Sequence, residues 1–110
     1  MISVKTLKEL VQTFKAMEND PLAESTEWCY ACLEPALIES CETTLKYLQQ
    51  ITKEEFVLLG ENGLFEHILG RFKSAEIYSE IEKQYTTFFG EDKDTDFYKE
   101  YIECLSTLVK

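Results

Sequence analysis

The chain has 110 residues, 45% of them apolar and 13% aromatic. That supports one domain with its own core and is too apolar for a disordered tail. Against 21 Asp and Glu stand 11 Lys and Arg, a formal charge of −10. A surface of that sign repels nucleic-acid phosphates and anionic lipid headgroups, so neither is expected as a direct partner. Residues 1–8 lack the apolar stretch and small-residue cleavage site of a secretory signal. The longest apolar run, Trp28 to Leu33, has six residues, where a membrane-spanning helix needs about 20. The expectation is a soluble cytoplasmic protein whose cysteines, Cys29, Cys32, Cys41 and Cys104, are reduced thiols.

The apolar spacing is helical almost throughout. Leu7, Leu10, Val11 and Phe14 follow the i, i+3, i+4, i+7 rule and predict an amphipathic helix over residues 4–17. Asn19-Asp20-Pro21 breaks it. Ser25 is the expected cap of the next helix, with Glu27 in its first turn. Pro35 either kinks that helix or starts another, and the stripe Leu37, Ile38, Cys41, Leu45, Leu48 continues to about residue 50. Thr52-Lys53-Glu54-Glu55 reads as a capping box, flanked by Ile51 and Phe56 as a hydrophobic staple, so a helix begins near residue 53.

Gly60, Asn62 and Gly63 loosen or end that helix. Phe65, Ile68, Leu69 and Phe72 mark a further face interrupted by Gly70. Ser74 is placed to cap a helix bearing Ile77, Ile81, Tyr85 and Phe88, which stops at Gly90. A polar turn over residues 91–96 leads into a last helix carrying Tyr98, Tyr101, Leu105 and Leu108. No segment alternates over a strand's length. The expected fold is all-α: a compact bundle of five or six helices forming a single domain over residues 1–110.

Few residues carry a recognisable chemistry. Trp28-Cys29-Tyr30-Ala31-Cys32 resembles the Trp-Cys-x-x-Cys of thioredoxins, and a helix N-terminus would favour a reactive thiolate there. The surrounding residues read as helix, however, and that fold needs a strand before the motif and a proline facing it. Two cysteines one turn apart on a helix serve as small hydrophobes. Zinc needs four converging ligands, usually in two close pairs, and the sequence holds one such pair, so neither metal nor cofactor is expected. His67 is the only histidine and sits among apolar neighbours. It has no serine or cysteine at catalytic spacing, and reads as a boundary residue with a ring nitrogen satisfied by backbone or water. There is no phosphate loop, nucleophile elbow or His-Glu-x-x-His. The chain does not read as an enzyme.

The charge distribution is more informative. From Ala16 through Leu45 there is no Lys or Arg, while Glu18, Asp20, Glu24, Glu27, Glu34, Glu39 and Glu42 supply seven negative charges. Trp28 and Tyr30, residue types favoured at interface hot spots, lie among them. A second acidic cluster, Glu91, Asp92, Asp94 and Asp96, precedes Tyr98 and Tyr101. Taken singly, each carboxylate is explained by a solvated helix face. Together they suit a basic protein partner, because complementary fields accelerate association. Glu27, Trp28, Glu34, Glu42, Asp92, Asp94 and Asp96 are the candidate partner-binding residues.

Two further stretches carry a resemblance. The run Leu45-Lys46-Tyr47-Leu48-Gln49-Gln50-Ile51-Thr52-Lys53-Glu54-Glu55-Phe56, and after it Glu66-His67-Ile68-Leu69-Gly70-Arg71-Phe72-Lys73-Ser74-Ala75-Glu76, resembles small helical immunity proteins of bacterial toxin systems, including contact-dependent growth inhibition. The similar portion covers about a third of the chain and holds no catalytic signature. The resemblance implies a cytosolic antidote that binds and blocks a cognate toxin domain. For a nuclease toxin, an acidic inhibitor would cover the basic substrate surface. A different class, an acidic adaptor or antagonist of a nucleic-acid-binding protein, fits the same charge pattern, and a thiol-disulfide oxidoreductase is a third.

Overall fold

Local signals set most of the helix boundaries. The computed structural model describes residues 2–90 and 96–109, without the side chains of Asp96, Phe97 and Tyr98. Helix α1 (Val4–Glu18) begins where Ser3 accepts a hydrogen bond from the Thr6 backbone N–H at 3.1 Å, and it buries Leu7, Val11 and Phe14. That is the face its periodicity predicts. The second helix, α2, spans residues 25–37 in three parts: an α segment Ser25–Trp28, a π turn Cys29–Leu33 and an α segment Glu34–Leu37. Ser25 is its first helical residue. The cap position falls on Glu24, whose side chain makes no capping bond, so the cap expected at Ser25 is not formed.

Pro35 explains the π turn. In a regular helix its ring collides with the carbonyl four residues back, that of Ala31. Here the Glu34 N–H bonds instead to the carbonyl of Cys29, five residues back. The widened turn lets the helix run through the proline. The chain breaks later, at residues 38–40, where Ser40 takes a hydrogen bond from the Thr43 N–H at 3.3 Å and opens α3 (Cys41–Leu48).

Helix α4 (Lys53–Glu61) starts with the complete capping box: Thr52 Oγ1 accepts from the Glu55 N–H at 3.2 Å, and Glu55 Oε1 accepts from the Thr52 N–H at 3.1 Å. Gly63, at φ 71°, takes the left-handed conformation and turns the chain into α5 (Leu64–Phe72), which continues through Gly70. Ser74 caps α6 (Ala75–Phe89), accepting from the Ile77 N–H at 3.2 Å. Helix α7 (Asp96–Leu105) ends in the 3-10 turn Ser106–Val109.

The described residues contain seven helices and no strand. All-α architecture is therefore correct and the expected five or six helices is an undercount. The extra helix arises because the stripe after Pro35 is cut at Ser40: a serine cap outweighed an unbroken apolar period. Among the described residues no helix is long and apolar enough to cross a membrane.

Helix α1 packs on α2, α3 and α4, while α6 packs on α3 and α7, with the 3-10 turn closing against α5 and α6. Phe56 occupies an aromatic cluster in the core, its ring centroid 5.0 Å from Phe65, 5.8 Å from Phe88 and 6.3 Å from Phe89. Polar groups stitch the helix junctions. Thr44 Oγ1 donates to the Leu37 carbonyl at 2.6 Å, holding the end of α2 to α3. Gln84 Nε2 donates to the carbonyls of Leu48 and Gln49 at 3.0 and 3.3 Å, satisfying acceptors that the end of α3 leaves free. Glu55, only 1% exposed, also accepts from Tyr47 Oη at 3.1 Å and Gln12 Nε2 at 3.2 Å. One carboxylate thereby joins α1, α3 and the start of α4.

Candidate functional site

The basic-free stretch runs from the end of α1 through α2 to the middle of α3. Glu18, Asp20, Glu24, Glu27 and Glu39 are exposed, and among the described residues no Lys, Arg or His lies within ion-pair distance of them. Asp20 Oδ1 accepts from the Leu22 N–H at 2.9 Å and shapes the turn ahead of α2. That turn leaves Leu22 92% exposed, and one helical segment later Tyr30 is 50% exposed. These are the large hydrophobic side chains left exposed among the described residues, and both stand among unpaired carboxylates.

The candidate residues do not form a single patch. Glu27 is on the outer side of α2. Trp28 is half-buried, its ring stacked on Phe14 at 6.4 Å and 21°, so its main contact is with α1. Of the two aromatics singled out in this stretch, Tyr30 is therefore the more exposed. Glu42 is exposed on the first turn of α3 and paired with Lys46 at 3.1 Å, one turn along the same helix. Such a pair offsets part of its charge. Asp92 and Asp94 lie outside the described residues, as does the side chain of Asp96.

Glu34 differs from the rest. In an unbroken helix it would share a face with Glu27, seven residues earlier. The extra residue of a π turn puts the faces before and after it out of phase by about 100°. Glu34 thereby faces α5, and its Oε1 lies 2.5 Å from His67 Nδ1, with side-chain exposures of 21% and 40%. The Tyr30 ring sits 6.0 Å from the His67 ring, tilted by 37°. A carboxylate, an imidazole and a phenol from two helices thus meet at the surface. The sequence reading placed a solvent or backbone partner on His67. The carboxylate found there is 33 residues away in sequence, and its orientation depends on a helix defect that periodicity does not register.

The thiol motif has a different environment from the one a redox pair requires. Cys29 is buried within the π turn, and Cys32 is exposed. Burial, then the charges of Glu34 and Glu18, push the Cys29 thiol up to about 11, whereas a thiol nucleophile needs its thiolate favoured. Among the described residues no three His, Cys, Asp or Glu side chains converge as metal ligands would. A surface hollow of about 650 Å³ between α6 and α7 mixes Lys83 and Lys99 with Glu82 and Glu103.

No protein family, no curated protein and no solved structure matches the chain.

Proposed function

We propose that the chain is an immunity protein: it binds a cognate bacterial toxin domain, a nuclease, and covers its basic substrate surface. The observation that supports this reading most directly is the coincidence, within one base-free stretch, of five unpaired exposed carboxylates with the exposed Leu22 and Tyr30. Carboxylates alone are a solvated face. Carboxylates in the same stretch as exposed apolar and aromatic side chains have the composition of an interface, which combines apolar contact with charge. The long-range field of a chain at −10 draws in a cationic domain, and the apolar groups then retain it.

Co-expression tests the proposal. The chain should rescue growth of cells producing the basic toxin domain encoded beside it, and should co-purify with that domain. Cells that die at the same rate with and without the chain would remove the proposal. A complex that forms equally well with unrelated basic proteins would point to an acidic adaptor instead.

A further inference from the structure

The Glu34 carboxylate lies beside the rings of His67 and Tyr30 at the surface. One oxygen of Glu34 is held by His67 Nδ1, and among the described residues its other oxygen has no partner. Tyr30 adds a half-exposed aromatic face beside the imidazole. The His67 contact also pins the Glu34 carboxylate, so less side-chain freedom is lost when a ligand arrives.

We infer that Tyr30, Glu34 and His67 form a receptacle for an arginine side chain of the basic partner. A guanidinium donates from a plane to a carboxylate oxygen and at the same time lays its flat face on an aromatic ring. Lysine, a compact ammonium, can pair with the carboxylate but has no planar face to stack. The inference rests on the reading of α2 as the docking face and names the group that face recognises. Glu24 and Glu27, on the earlier part of the helix, contribute attraction without this geometry.

The test uses capped six-residue arginine and lysine peptides as probes of the full chain, followed by NMR and calorimetry. The arginine peptide should bind about fivefold more tightly than the lysine peptide, the gain expected of one aromatic–guanidinium contact. It should shift the Tyr30 ring and His67 imidazole resonances. Tyr30→Ala and His67→Ala should abolish the preference, Tyr30→Phe should keep it, and Glu27→Gln should weaken both peptides equally. Circular dichroism identifies any variant that fails to fold, and Tyr30→Phe together with Glu27→Gln then carries the comparison. Equal affinity for the two peptides, or shifts confined to other carboxylates, overturns the receptacle. If the toxin is neutralised while the peptides show no preference, the receptacle alone is wrong. If the peptides show it and no toxin is neutralised, the immunity reading alone is wrong.

Discussion

Glu55 and Glu27 are the same residue type in opposite settings. Glu55 is sealed at the junction of α1, α3 and α4, with three donors arranged around it. Glu27 stands in solvent on α2 without a cationic neighbour among the described residues. The first carboxylate answers to the fold, because every group it satisfies would otherwise be buried and unpaired. The second has only its place in the first turn of α2, a weakly favourable charge in solvent, and that charge is available to a partner. A strongly negative composition therefore divides into carboxylates that hold the molecule together and carboxylates that it displays.

Removing the sealed carboxylate should have the largest effect. Glu55→Ala strands the Tyr47 hydroxyl, the Gln12 amide and the Thr52 N–H, and should cost about 3 kcal/mol in denaturant unfolding. A loss near zero would mean that water replaces the carboxylate and that the junction is not sealed. Next comes an alkaline limit on the same region. Burial first, and then Glu55, push the Tyr47 hydroxyl upward; burial and the bond to Glu66 do the same for Tyr101. The folded state holds these protons more tightly than the unfolded chain does. Their contribution is therefore complete below the ordinary tyrosine value of about 10 and is lost as pH rises from there toward the raised folded-state values. Tyrosinate absorbance and circular dichroism should change together at high pH for these two. The smallest effect on stability belongs to the displayed set. Glu24→Lys and Glu27→Lys should leave the Tm unchanged while slowing toxin association and flattening its dependence on salt. A fall in Tm would show that these carboxylates also serve the fold.

The sealed region was legible in the sequence and the displayed one only in part. Thr52, Glu55, Ile51 and Phe56 act over four residues, and the capping box they predict is present in full. Ser74 and the α1 face are local in the same sense. What Glu55 does beyond its cap depends on Gln12 and Tyr47, residues 43 and 8 positions away, and no spacing rule reaches that far. On α2 the charge pattern was visible, but its direction was not. The π turn rotates Glu34 away from Glu27 and toward His67, Trp28 settles on Phe14, and Leu22 is left outside by an Asp turn. These outcomes rest on a proline-induced turn, a contact between helices and an Asp turn, none of which a single apolar period encodes.

The π turn carries a consequence for how such a surface changes over descent. Deleting one residue between positions 29 and 33 would take out the extra residue that the widened turn holds, leave Pro35 to kink the helix, and swing the preceding stretch through about a third of a revolution. The same acids would then aim elsewhere, with Glu34 uncoupled from His67. Point replacement edits what this face says, while gain or loss of a single codon re-points it. Descendants differing by one residue here should therefore diverge in partner choice more sharply than those differing by several substitutions.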